Sequence, residues 1–162
     1  MKGMGIEVRQ ATAADEEWVR ARLIEYWHGP MIERTDEFID ASELPALIAV
    51  LDARPAGLAT VMLHQDHGEV MTLDSSLEGR GVGSALMTAA EVLVREAGLS
   101  EIRVFTANSN LNALGFYQRR GYRMWAIHRD TIARARAQKP EIPLYAENRI
   151  RNADEVELRK KI

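Results

Sequence analysis

The residues of this chain that most openly invite chemistry are three glycines within five positions. In "TLDSSLEGRGVGSALMTAAEVLV", Gly79, Gly81 and Gly83 separate an apolar, extended-looking run from a long run at helical spacing. Glycine inside a helix is unfavourable by about 0.8–1.0 kcal/mol relative to alanine, so a cluster at a helix entrance needs a reason. Strand, glycine knot, helix start is an anion cradle. The first turn has N–H groups without helical partners, and the positive end of the dipole points the same way. Glycine also removes the Cβ atoms that would hold a phosphate away from those amides. Arg80, inside the knot, adds a charged contact. Two familiar phosphate loops are excluded. A Walker loop ends in Gly-Lys-Ser/Thr, whereas Gly83 is followed by Ser84 and Ala85. A dinucleotide fingerprint needs a third glycine where Ser84 stands and an acid about 20 residues on, and "VFTANSN" carries none.

Other chemistries are bounded by composition. The chain has no cysteine, hence no disulfide, no thiolate nucleophile and no cysteine-held metal, which fits a reducing compartment. Its four histidines show no H-x-x-x-H spacing, so no metal is expected. The start "MKGMGIEVRQ" has no apolar leader core, and no apolar run is long enough to span a bilayer, so the expectation is a soluble, cytoplasmic protein without a membrane partner. A net charge of −3 argues against nucleic acid, but the charge is uneven. Residues 1–78 hold 6 basic and 15 acidic side chains, and residues 79–162 hold 15 and 9. The first part would attract a cation and the second an anion.

These residues need elements to position them. With 162 residues, 46% hydrophobic, one domain over 1–162 with a real core is expected. "IEVRQAT" reads as a strand. "TAADEEWVRARLIEYWHG" reads as a helix with acids in its first turn, apolar Trp18, Leu23, Tyr26 and Trp27, and a Gly29-Pro30 stop. Residues 31–44 read as polar and irregular, with a short helix near "DEFIDAS". "ALIAVLD", "LATVMLHQ" and "EVMTLDS" then form an antiparallel meander, the first two joined by a turn at "ARPAG". The glycine knot ends this fourth strand. Residues 82–97 form a helix with Val82, Leu86, Ala90, Leu93 and Ala97 on one face, closed by Gly98. "EIRVFTA" is a strand, "NLNALGFYQRR" a helix stopped by Gly121, and "YRMWAIH" a strand. A basic helix near "DTIARARAQ" ends at Pro140, and "DEVELRKKI" alternates as the last strand.

Order and residues together resemble the GNAT superfamily of acyl-CoA N-acyltransferases over essentially the whole chain. The family signature Gln/Arg-x-x-Gly-x-Gly/Ala after the fourth strand is met by "EGRGVG", with Gly81 and Gly83 in place and Glu78 where the family has Gln or Arg. An acid at that rim must turn outward or pair, for example with Arg80. A second pattern, Asn-x-x-Ala-x-x-x-Tyr followed by Gly-Phe/Tyr, is met by Asn110, Ala113, Tyr117, Gly121 and Tyr122. The resemblance implies an α+β, three-layer α/β/α fold. Its sheet is mixed and mostly antiparallel, of six to seven strands, and splayed between the fourth and fifth.

The resemblance further implies acetyl-CoA as co-substrate and direct acetyl transfer to an amine. Its pantetheine arm would pair with Met71, Thr72 and Leu73, the Leu73 amide serving the oxyanion. The amides of Gly79, Arg80, Gly81, Val82, Gly83, Ser84 and Ala85 would hold the pyrophosphate, and Asn110 and Ala113 would touch the cofactor. Tyr117, a phenol of pKa near 10 that is neutral at pH 7, would protonate the departing thiolate. Glu69, opening the fourth strand, is the expected base, with His67, His64, Glu33, Asp36, Asp74 or a water chain as alternatives.

The acceptor site is implied to lie between the first helix, the loop after it and the final strands. Acids Glu25, Glu33, Asp36, Glu37 and Asp40 favour a cationic amine of a small molecule or peptide. Trp27 and Met31 could enclose its apolar part. The extra helix at 130–138 either lids that site or makes a homodimer contact. Two other readings share the fold: a non-catalytic acyl-CoA sensor, and an acetyltransferase of protein lysines or N-termini. A small interaction module with no cofactor is the reading outside it.

Overall fold

The computed structural model describes residues 5–162, so the leader reading of residues 1–4 lies outside them. The chain runs β1 (Glu7–Gln10), α1 (Glu16–Trp27), β2 (Met31–Arg34), β3 (Glu37–Asp40), β4 (Ala46–Leu51) and β5 (Arg54–Leu63). It continues β6 (Gly68–Ser75), α2 (Val82–Glu96), β7 (Glu101–Ala107), α3 (Leu111–Arg119), β8 (Arg123–His128), α4 (Thr131–Gln138) and β9 (Glu155–Lys161). Seven strands make one sheet in the order β1-β4-β5-β6-β7-β9-β8, and β2-β3 is a separate hairpin. Every neighbouring pair is antiparallel except β6-β7. No helix among the described residues is long and apolar enough to cross a membrane.

Period-2 burial along the strands feeds two cores. One face packs Leu86, Val94, Leu114 and Tyr117 from α2 and α3. The other packs Val19 and Leu23 of α1 with Ile32 and Met71. α4 lies on that second side, its Ile132 and Ala135 against Phe38 and Ala107. The three-layer, mostly antiparallel architecture expected from the sequence is the one observed.

Four local expectations are corrected. Residues 31–40 form the β2-β3 hairpin, and only Ala41–Glu43 are helical, as a single 3-10 turn. Thr35 and Asp36 both take positive φ, the two-residue hairpin turn usually signalled by Asn-Gly, so sequence gave no sign of it. The turn after β4 is likewise Asp52-Ala53, both at positive φ, and "ARPAG" lies largely in β5. The buried face of α2 carries Met87 and Val94, while Ala97 is exposed. α1 buries Arg22, whose Nε donates to Asp74 at 2.7 Å while its guanidinium lies 4.3 Å over Tyr26. Burial still pushes the Asp74 carboxyl above its ordinary range, against the pull of Arg22.

The sheet opens at one place. β6 and β7 pair only through Gly68/Ile102, Glu69/Arg103 and Val70/Val104. Against β5, β6 skips Met71, because Thr60 pairs with Thr72 and Val61 with Val70. A bulge bends its strand, and this one lies where the ladder to β7 stops. β6 from Met71 onward and β7 from Phe105 onward therefore diverge.

Gly57 sets how closely α2 approaches this opening. A Cβ there would meet Val82 Cγ1 at 2.7 Å and the Asp74 carbonyl oxygen at 2.8 Å. Gly57→Ala should destabilise the protein by about 1–3 kcal/mol as the start of α2 is pushed off the sheet. Thermal unfolding measures it, and an unchanged midpoint would show that the contact yields freely.

Candidate active site

α2 begins as a bare cradle. Gly81 is its N-cap with φ +80° and no side-chain cap, and the first helical bond runs from the Ala85 N–H to the Gly81 carbonyl at 3.0 Å. The amides of Val82, Gly83 and Ser84 precede that first rung and are orphans of the helix. Gly79 also holds a positive φ, with nothing within 4 Å of where its Cβ would stand. Glu78 and Arg80 are both exposed and make no ion pair with each other among the described residues, so the acid at the rim has turned to solvent. A Cβ on Gly83 would touch the Phe116 ring at 3.5 Å, an ordinary contact that ties the cradle to α3.

Asn110 caps α3: its side chain accepts from the Ala113 N–H at 3.1 Å, and it also faces the cavity described below. Two turns on, Tyr117 is buried between Phe116 and Tyr122, with ring centroids at 5.3 and 5.8 Å. Its hydroxyl has no hydrogen-bond partner among the described residues. Burial pushes the phenol up to about 12, and the positive charge of Arg34, acting from the opposite side of the sheet, offsets part of that rise. Tyr122 is different. Its hydroxyl donates to Glu91 at 3.1 Å, and burial raises it further.

Arg34 was not singled out by sequence reasoning, yet it occupies the centre. It reaches from β2 into the opening, where Nε donates to Glu69 and Nη1 to Glu155 at 2.8 Å. The guanidinium lies 4.2 Å over the Phe105 ring, with Met71 Sδ at 3.7 Å. Glu155 was missed too. The only signal was the alternation of "EVEL", which places Glu155 and Glu157 opposite the core residues Val156 and Leu158. A cavity of about 160 Å³ fills the opening, lined by Trp27, Arg34, Met71, Phe105, Asn110 and Glu155 among others.

Glu69, the expected base, is buried beside this cavity but does not line it. One of its oxygens is held by Arg34 and the other contacts His64 Nε2 at 2.9 Å. His67 joins them in space, so the turn after β5 assembles a His-His-Glu group that linear spacing hid. Its imidazoles stack face to face, centroids 4.3 Å apart and planes 14° apart, and His67 Nδ1 is turned to Asp66 at 2.6 Å. The three groups bring one ligand atom each to within 4.8 Å of one another, and Arg34, Glu69, His64 and Asp66 also tie them into a hydrogen-bonded cluster. Among the alternative acids, Glu33 lines the cavity, Asp74 is engaged by Arg22, and Asp36 receives both Nε and Nη2 of Arg134 at 2.6 and 3.0 Å. Thr72, expected at the cofactor, is buried with its hydroxyl 2.7 Å from that of Thr60. Glu25 and Met31 do not line the cavity, and Trp27 does.

Comparison with known proteins gives this geometry its family. Residues 11–122 match the family model described as Acetyltransferase (GNAT) family. The chain is 36% identical over 145 residues to the uncharacterized protein YxbD of Bacillus subtilis (strain 168), covering 89% of this chain and 91% of that protein. Its fold is similar to that of a GNAT family acetyltransferase from Elizabethkingia anophelis with acetyl-CoA bound, at TM-score 0.71 and 15% identity, covering 97% of this chain and 98% of that one. It is similar also to a Bacillus subtilis acetyltransferase in complex with CoA, at TM-score 0.69 and 21% identity, with 97% of each chain covered. The glycine cradle and the Asn110–Tyr122 pattern thus lie where a family model and a close relative both align, and the chain belongs to the GNAT family of acetyltransferases.

Proposed function

We propose that the protein is an acetyl-CoA-dependent N-acetyltransferase that moves an acetyl group directly to a primary amine of a small molecule or peptide. One observation carries this reading: β6, unpaired on its β7 side from Met71, leads into the uncapped start of α2, which packs on Phe116 next to the buried phenol of Tyr117. The residues fit the co-substrate. A Cβ on Gly79 would meet nothing within 4 Å and one on Gly81 only Ile6 at 3.7 Å, so the loop leading to the orphan amides has open space around it. The edge of β6 from Met71 to Leu73 has no partner on the β7 side, which suits an extended arm entering as another strand would.

When bound, acetyl-CoA supplies an acetyl group activated as a thioester. The amides from Gly79 to Ser84, with Arg80, would hold its pyrophosphate; the Ala85 N–H, expected to join them, is spent on the Gly81 carbonyl. Met71, Thr72 and Leu73 take the arm, with Asn110 and Ala113 flanking it. The Leu73 amide faces the negative charge that develops on the acyl oxygen. Tyr117 would give its proton to the sulfur as the C–S bond breaks, and the second proton that the nitrogen sheds in becoming an amide would return to Tyr117. Its raised pKa keeps that proton in place throughout the neutral range. The first proton that the acceptor ammonium sheds would leave through water: Glu69, the expected base, does not line the cavity, and its two oxygens are taken by Arg34 and His64. One proton is released for each acetyl group moved. Incubation with acetyl-CoA, an amine panel and a thiol reagent tests the reading. CoA released in step with acetylated amine supports it. Binding without release marks a sensor, and no binding at all overturns the cradle.

Gly83→Val should abolish acetyl-CoA binding in calorimetry by pressing on Phe116 and moving the first turn of α2, with a modest fall in the unfolding midpoint. Gly81→Val should abolish binding as well but also cost about 1–2 kcal/mol from its left-handed backbone. Unchanged affinity in both would contradict the cradle.

Tyr117→Phe should keep acetyl-CoA affinity and lose about 10² in single-turnover rate. Equal loss of affinity and rate would make Tyr117 a packing residue. The same phenol has a pH signature in stability. Its folded pKa of about 12 exceeds the ordinary value of 10.0, so the folded state holds the proton more tightly. That contribution is complete below pH 10 and fades as pH rises towards 12, to an extent on the order of 2–3 kcal/mol. Tyr117→Phe should lose less stability than wild type across this window, as denaturant melts at stepped pH would show.

A further inference from the structure

Two small cavities meet at one partition. The inner one is the opening between β6 and β7; the outer, of about 180 Å³, lies between the β2-β3 hairpin and α4. Glu33 and Glu155 line both. Glu155 is fully engaged, its Oε2 accepting from Arg34 at 2.8 Å and its Oε1 from the Thr35 N–H at 2.9 Å. Glu33 is not. Its Oε2 is buried with no hydrogen-bond partner among the described residues. Lys139 Nζ stands 3.6 Å from it, an ion pair beyond hydrogen-bond reach, and donates instead to the Trp27 and Met31 carbonyls at 2.8 and 2.9 Å.

The cations around these cavities are spent. Arg34 is taken by Glu69 and Glu155, and Arg134 by Asp36. No lining cation among the described residues is left to receive a carboxylate of the acceptor. Of the carboxylates lining the outer cavity, Asp36 is paired with Arg134 and Glu155 with Arg34, which leaves Glu33, with Lys139 at 3.6 Å, and Glu37 to receive a cation. Its volume holds on the order of six waters, which suits a short chain and not a folded segment of polypeptide. The contacts of Arg134 and Lys139 fasten α4 and the residue after it over the hairpin, so the extra helix roofs this chamber.

Resting on the acyltransferase reading, we propose that Glu33 seats the acceptor ammonium at the partition. The acceptor is a slender, carboxylate-free amine whose far end is also positive, in chemical class a linear diamine. Its reacting nitrogen then meets the inner cavity, and its second ammonium lies in the acid-lined outer one.

A matched series tests this: 1,4-diaminobutane, n-butylamine and 4-aminobutanoate share four carbons and one amine and differ only in distal charge. With the intact protein and saturating acetyl-CoA, kcat/KM should fall in that order. The diamine should exceed the amino acid by about tenfold to a hundredfold, the range of a charge-assisted hydrogen bond. Glu33→Gln should raise KM for the diamine by a similar factor without changing acetyl-CoA affinity. Trp27 lines the inner cavity, so diamine binding should also change tryptophan fluorescence in wild type, and far less in Glu33→Gln or the control Trp27→Phe. Use of the amino acid as readily as the diamine, or an unchanged KM in Glu33→Gln, overturns the proposal. CoA release with peptides alone overturns it too, while the acyltransferase reading stands. If no amine releases CoA, that reading fails. The fluorescence titration then still decides Glu33, and no diamine binding overturns its role.

Discussion

β6 and β7 stop exchanging hydrogen bonds after Val70 and Val104, and nearly everything of chemical interest is arranged around that stop. A parallel ladder that continued to Ser75 would fill the gap with backbone and bury Met71, Phe105 and the edge of β6 against one another. The bulge at Met71 prevents it by bending β6 away, and β7 instead completes its pairing with β9 along its whole length. The opening costs unpaired backbone on two facing strands. An unpaired, buried backbone group is expensive, so such a gap asks for something extended to fill it.

Charge holds the gap in shape. Arg34 enters from the hairpin and bridges Glu69 of β6 to Glu155 of β9, spanning β7 by stacking on Phe105. A buried ion pair is weak as net stabilisation, but removing one member strands the others uncompensated. The network therefore fixes where the hairpin sits more than how stable the protein is. It also places a positive charge on one side of the sheet and the Tyr117 hydroxyl, unpartnered, within its field from the other. A phenol in that setting keeps its proton and has no internal partner to surrender it to.

The helices complete the frame from opposite faces. α2 presents its uncapped first turn because Gly57 lets Val82 approach the sheet. α3 is capped by Asn110, so a residue the family pattern assigns to the cofactor also starts the helix that carries Tyr117. On the other face, α1 is anchored by the buried pair of Arg22 and Asp74, while α4 closes over the hairpin.

Much of this was legible in the chain. Period-2 and period-3.6 patterns located every strand of the main sheet and all four helices, and local glycine chemistry marked the start of α2, because both depend on near neighbours. The β2-β3 hairpin escaped, since its four-residue strands carry charges and its Thr35-Asp36 turn lacks the usual glycine. The Gly79–Gly83 cradle and the Asn110–Tyr122 pattern are contiguous, so sequence alone could present them as units. The sharing of one guanidinium by Glu69 and Glu155, 86 positions apart in the chain, could not be read, nor could the placement of Glu33 between two cavities with one buried, unbonded oxygen. Whether a carboxylate is spent on a partner or left to receive a ligand depends on which charges the folded chain brings within a few ångströms. Spacing along a strand carries no record of that, and only the tertiary structure decided it.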